Sequence, residues 1–125
     1  MGQVPVFIVE DSQHMQVALR DLLHVTGPFE VVGVAQGETD ATDWLQDHKW
    51  AWRVAIVDLL LPEGNGFSLV QRCRSESPDG KVIVFSEFAS AGVKDRCLEL
   101  GADAAFMKSE MKSFIGYLEQ VAAAS

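Results

Sequence analysis

Val54-Ala55-Ile56-Val57-Asp58, followed by Leu59-Leu60-Leu61-Pro62-Glu63-Gly64-Asn65-Gly66, is the stretch on which the reading of the fold turns. Four consecutive apolar residues ahead of a Pro/Gly-containing loop read as a short strand buried on both faces. Folding does not require an ionised carboxylate directly after such a strand. In open α/β sheets, however, the carboxyl ends of strands are where ligands bind. A second apolar run, Val6-Phe7-Ile8-Val9, ends the same way, in Glu10-Asp11. Three carboxylates at the ends of two strands suggest a divalent-metal site, an aspartyl-phosphate site, or both.

Outward from these runs the pattern alternates. Apolar stretches predict strands over 4–9, 30–35, 53–57, 81–85 and 102–107. Apolar residues at helical spacing predict helices over 13–24, 39–49, 67–75, 90–100 and 110–124. Ser12 is a candidate N-cap for the first helix, and Gly27-Pro28 and Gly101 stand where helices stop. Strict alternation of five strands with five helices specifies an α/β protein with a parallel sheet. Right-handed crossovers leave few topologies, and a doubly wound five-stranded order of 2-1-3-4-5 fits. In that order strands one and three are neighbours, and their carboxyl ends bring Glu10, Asp11 and Asp58 together.

The 125 residues suit a single domain over 1–125. Eighteen acidic side chains against ten Lys and Arg give a net charge of −8, which argues against direct binding of a nucleic-acid backbone. Cys73 and Cys97 lack metal-ligand spacing and are expected as reduced core thiols of a cytoplasmic protein. No apolar run approaches a membrane span, no signal peptide is read at the N-terminus, and no membrane contact is expected. No phosphate-cradling Gly-rich loop follows the first strand, which weighs against a flavin-binding or hydrolytic enzyme of similar topology. Trp44, Trp50 and Trp52 are read as packing residues. His14 is read as an exposed helix residue.

Two further strand ends are polar: strand four ends in Ser86 and strand five in Lys108. With these the chain resembles the receiver domain of two-component response regulators, a flavodoxin-like, CheY-like three-layer sandwich, over almost its whole length. The family's acidic pair matches Glu10-Asp11 and its phosphoacceptor aspartate matches Asp58. Its proline four residues later and glycine eight residues later match Pro62 and Gly66. Its Ser or Thr matches Ser86, and its lysine matches Lys108. The resemblance implies a phosphoacceptor at Asp58 and a Mg²⁺ site of Glu10, Asp11, Asp58 and the Leu60 backbone carbonyl, with Glu10 acting through water. It implies that Lys108 pairs with Asp58 before reaction and with the phosphoryl group after it, and that Ser86 hydrogen-bonds a phosphoryl oxygen. It further implies a histidine kinase or histidine phosphotransfer protein as donor, a downstream protein target, and a homodimer or partner face built by helix four, strand five and helix five. On that reading the chain is no enzyme beyond its own phosphotransfer and slow dephosphorylation.

Several positions depart from the family pattern. An aromatic residue commonly stands three positions before the lysine; here it is Ala105, and the neighbouring Phe106 points to the opposite face. A proline commonly follows the lysine; here Ser109 follows, and a trans bond with Ser109 as N-cap of the last helix is expected. Glu87 follows Ser86 where a small residue is common. Phe88 and Leu60 are apolar at the site mouth, so restricted access for water and slow self-dephosphorylation are expected. Ala105 and Glu87 also motivate the alternative of a phosphorylation-independent interaction module.

Overall fold

The computed structural model describes residues 2–125. Five strands, β1 (Val4–Val9), β2 (Phe29–Ala35), β3 (Val54–Val57), β4 (Lys81–Ser86) and β5 (Ala104–Met107), alternate with five helices, α1 (Gln13–Thr26), α2 (Glu38–Asp47), α3 (Gly66–Glu76), α4 (Ala91–Glu99) and α5 (Met111–Ala124). All pairings are parallel, and the strand order is β2-β1-β3-β4-β5, as the sequence implied.

Alternation along each strand splits the core into two layers. Val6 and Ile8 of β1, Val54 and Ile56 of β3, and Ile83 and Phe85 of β4 pack with Leu19 and Leu23 of α1 and Phe114, Leu118 and Val121 of α5. Phe7, Val9, Ala55, Val57, Val82 and Val84 face the other way, onto Leu45, Leu69, Val70, Cys73 and Cys97 of α2, α3 and α4. The same alternation separates Ala105, which packs with the second layer, from Phe106, which packs edge-on to Phe114 with ring centroids 5.8 Å apart. Phe106 therefore does not occupy the face on which Ala105 stands. Cys73 and Cys97 are free and buried, and burial pushes the Cys73 thiol up to about 12.

Ser12 caps α1 as expected: its hydroxyl accepts from the Met15 N–H at 3.3 Å. Two other expectations need correction. The last helix is capped by Glu110, not Ser109. The Phe114 N–H bonds to the Glu110 carbonyl, which starts the helical ladder there. The Glu110 carboxylate turns back to accept from the Met107 N–H at 2.8 Å and from Lys94 at 2.6 Å. Ser109 is left exposed outside the helix, and no peptide bond in the described chain is cis. Trp50 is not a packing residue. It is 81% exposed, at a left-handed φ of 68°, while Trp52 beside it is buried.

The edge strand β2 carries an irregularity that admits Trp44. Val6 pairs with Val31 but Phe7 pairs with Gly33, which leaves Val32 as the extra residue of a bulge and blunts the exposed edge. Trp44 stacks on Phe7 at 4.2 Å and on His48 at 4.4 Å. A Cβ at Gly33 would lie 2.3 Å from the indole, and the ring cannot retreat without breaking the stack. Gly33→Ala is expected to destabilise the fold by about 1–3 kcal/mol. Thermal unfolding checks this; an unchanged Tm would show that the ring repacks freely.

Candidate functional site

The backbone ladder sets the site before any side chain is considered. β1 lies between β2 and β3, and both neighbours extend their pairing one residue past the strand ends. The Asp58 N–H donates to the Val9 carbonyl at 3.0 Å, and the Glu10 N–H donates to the Ala35 carbonyl at 2.9 Å. Glu10 and Asp58 are thereby fixed at the same level of the sheet, side by side. Glu10 is 2% exposed and Asp58 is 4% exposed, whereas Asp11 is exposed. One carboxylate oxygen from each of Glu10, Asp11 and Asp58 lies within 4.8 Å of the others.

Lys108, at the end of β5, reaches into this cluster. Its ammonium donates to Glu10 Oε1 at 2.7 Å and to Asp58 Oδ2 at 2.8 Å. Its own N–H bonds to the Ser86 carbonyl at 3.2 Å, which registers β5 against β4 at the mouth. Burial disfavours the Lys108 charge, but its bonds to Asp58 and Glu10 outweigh that and hold the ammonium above its ordinary pKa. At Glu10 burial wins instead. The carboxylate is more deeply buried than Lys108, and desolvation raises its pKa despite the bonds from Lys108 and the Ser12 N–H.

The remaining sequence candidates are near but not all engaged. The Leu60 N–H donates to Asp58 Oδ1 at 3.0 Å, which orients the carboxylate, and the Leu60 side chain is 51% exposed. The Ser86 hydroxyl is fully buried and touches none of the carboxylates; it accepts from the Phe88 N–H at 3.2 Å. Phe88 is 48% exposed and Glu87 is exposed, so both stand at the surface. His14 is an exposed residue of α1. Sequence reasoning missed Gln16, whose amide donates to the Glu10 carbonyl at 2.7 Å. The only signal was its place one turn inside α1, since the bond joins residues six apart across a loop.

An oxygen-only donor set with one lysine, recessed at the carboxyl edge of a parallel sheet, suits a hard divalent cation and an anionic group beside it. The sequence matches the response regulator receiver domain over residues 6–115. The chain belongs to this family. Receiver domains are signalling modules of two-component systems, and the chain shares their fold. It is 29% identical over 105 residues to the transcriptional regulatory protein DesR of Bacillus subtilis, a match that covers 84% of this chain and 51% of DesR. It is 27% identical over 97 residues to the chemotaxis protein CheY of Thermotoga maritima, covering 78% of each. The chain thus spans about half of the first relative and most of the second. Among solved structures, a response regulator from Burkholderia pseudomallei with a phosphorylated aspartic acid, a calcium ion and citrate superposes with a TM-score of 0.79 at 22% identity, over 98% of this chain and 70% of that one. That likeness concerns the fold. No helix among the described residues is long and apolar enough to cross a membrane.

Proposed function

We propose that this receiver domain accepts a phosphoryl group on Asp58 from a phosphohistidine of a histidine kinase or histidine phosphotransfer protein, and that the modified form changes its affinity for a downstream protein. The observation that carries the reading is the Lys108 ammonium, held between two buried carboxylates at 2.7 and 2.8 Å. Two buried carboxylates and a lysine gathered at the strand ends, with the lysine 14% exposed, are the kind of charge cluster that marks a functional site.

In the proposed step an Asp58 oxygen attacks phosphorus, the O–P bond forms, and the P–N bond to the donor imidazole breaks. The electron pair leaves with that nitrogen, which takes a proton. Repulsion between the incoming phosphoryl group and three carboxylates opposes the approach. Asp11, Asp58 and, as the family resemblance implies, the Leu60 carbonyl would hold Mg²⁺, with Glu10 acting through water; the gathered carboxylate oxygens of Glu10, Asp11 and Asp58 fit that ion. The bound ion supplies charge neutralisation between nucleophile and phosphoryl oxygens. Lys108 can leave Asp58 for a phosphoryl oxygen while keeping Glu10. Ser86 uses its oxygen as an acceptor and has its hydroxyl proton to offer. Turning it to a phosphoryl oxygen would loosen the Phe88 N–H and with it the loop into α4. That contact exists in one state only, which is what biases a two-state element. The surface of α4, β5 and α5 is the proposed face for a partner or a second copy, with no nucleic acid contacted directly.

Intact-protein mass after incubation with acetyl phosphate and Mg²⁺ tests this. One phosphoryl adduct that requires both Mg²⁺ and Asp58 is expected, and Asp58→Asn is expected to abolish it. Leu60 and Phe88 put apolar side chains on the loops that follow Asp58 and Ser86, so the adduct is expected to decay slowly; a half-life of seconds would overturn that part. No adduct from acetyl phosphate or from cognate phosphodonors would favour the phosphorylation-independent module, for which the absence of an aromatic residue at Ala105 is the supporting feature.

A further inference from the structure

The loop from Asp58 to Gly66 is anchored at its far end by α2. Gly37, the N-cap of α2, offers no side-chain cap. Glu63, from the loop, takes that place. Its carbonyl accepts from the Glu38 N–H at 3.0 Å, and its carboxylate accepts from the Thr39 N–H at 3.0 Å and the Thr39 hydroxyl at 2.8 Å. Two of the orphan N–H groups of α2 are thus satisfied from outside the helix, that of Glu38 by the Glu63 carbonyl and that of Thr39 by the Glu63 carboxylate, an anion that also suits the helix dipole. The favour is returned: Glu38 Oε1 accepts from the Asn65 N–H at 2.7 Å. Two glycines permit the approach. A Cβ at Gly37 would lie 2.9 Å from Glu63 Oε1, and one at Gly64, where φ is 91°, would lie 2.1 Å from the Glu38 Cβ.

We propose that Glu63 and Glu38 form a reciprocal clamp that positions the Asp58–Gly66 loop, and so sets the affinity of the acidic site for Mg²⁺ through the Leu60 carbonyl. The inference rests on the metal-site reading above. Leu60 sits between two fixed points: its N–H is tied to Asp58 Oδ1, and three residues later the chain is held to α2. Pro62 stiffens the span between them by fixing its φ. At the loop's end Gly66 closes against its beginning, since a Cβ there would be 2.6 Å from the Leu59 Cα. Opening the clamp frees the loop end and lets the Leu60 carbonyl wander, while the strand ends that carry Glu10, Asp11 and Asp58 stay in place. Glu63 is a positioning residue and touches none of the carboxylates.

Isothermal titration of the full chain with Mg²⁺, together with amide hydrogen exchange of the metal-free protein, tests the clamp. Glu63→Ala is expected to weaken Mg²⁺ binding about tenfold, the low end of what removing an outer supporting partner does. It is also expected to speed exchange at Thr39 and Asn65. Glu63→Gln removes the same charge but keeps an oxygen for the Thr39 N–H and an amide for its hydroxyl, so it is expected to retain most of the affinity. Glu38→Ala opens the other half and is expected to act in the same direction as Glu63→Ala. If Glu63→Ala and Glu63→Gln weaken binding equally, the effect is one of charge and the clamp is overturned. Wild-type affinity in Glu63→Ala also overturns it. A wild-type chain that takes up no Mg²⁺ overturns the site reading along with the clamp, whereas normal wild-type binding beside an inert Glu63→Ala overturns the clamp alone.

Discussion

Lys108→Met is expected to lower the stability of the metal-free protein more than any other single change at the site. The substitution keeps the length and packing of the stem and removes the cation that, among the described residues, bonds Glu10 and Asp58. Breaking a sealed buried ion pair from one side costs about 3–5 kcal/mol, and the partial exposure of Lys108 should reduce that to about 2–3 kcal/mol. For a domain of this size the loss corresponds to a fall in Tm on the order of 10 °C.

The sign of the pH dependence follows from Glu10. Its folded pKa is already raised by burial, and losing Lys108 removes the chief interaction that holds it down. A carboxyl with a raised folded pKa retains protons that the unfolded chain has lost, so stability falls as pH rises through that value. The deficit of Lys108→Met is therefore largest near neutrality and shrinks as pH falls towards the unfolded carboxyl value of about 4.3. In the wild type the Lys108 contribution has the other window. Its folded pKa is raised, so its stabilisation is full below about pH 10.4 and is lost as pH climbs through the folded value. Mg²⁺ at roughly a hundred times its dissociation constant should return about 2.7 kcal/mol to either protein. Urea unfolding at pH 7 and pH 4.5, with and without Mg²⁺, checks the first and last of these statements, and unfolding of the metal-free wild type between about pH 9 and about pH 11 checks the Lys108 window. Equal stability of variant and wild type at pH 7 without metal would mean that the carboxylates are already well solvated.

Arg74→Ala is the second large effect, at the opposite end of the sheet. The guanidinium donates to the carbonyls of Gly101 at 2.9 Å, Ser77 at 3.2 Å, and Pro78 and Gly80 at 2.8 Å each, and pairs with Asp103. Asp103 in turn accepts from the Val82 N–H at 2.8 Å. One side chain thus ties the end of α3, the turn into β4 and the turn into β5. Gly101, at a φ of 115°, packs a would-be Cβ position 2.9 Å from the Arg74 stem. The site is about a quarter exposed, so water replaces part of what is lost, and a destabilisation of about 2–3 kcal/mol is expected. Arg74→Lys keeps the charge but cannot reproduce the planar fork, and should recover less than half. Urea unfolding midpoints decide it; a wild-type midpoint for Arg74→Ala would mean that the turns hold themselves.

The strands, their order and the meeting of Glu10, Asp11 and Asp58 were legible because each rests on a local signal that topology carries to one place. An apolar run marks a strand, its first carboxylate marks its end, and a parallel sheet puts all such ends on one edge. Lys108 was legible for the same reason. Where competing local options existed, the reading slipped. Ser109 is a good N-cap, but the Glu110 carboxylate gains the Met107 N–H and Lys94 by starting the helix one residue later, and Lys94 comes from another element. Trp50 and Trp52 have the same composition signal; the chain turns outward at Trp50, and only Trp52 meets the core.

The sequence by itself determined the doubly wound fold and the identity of the charged groups at the sheet edge, because hydrophobic period and strand ends are properties of neighbours along the chain. Tertiary structure alone decided that Lys108 bridges Glu10 and Asp58, that Glu63 caps a helix 24 residues earlier in the sequence, and that Arg74 reaches Asp103. These contacts join long polar side chains across elements, and a long polar side chain has no periodic signature. Its partner is fixed by which surface the packed backbone brings within reach.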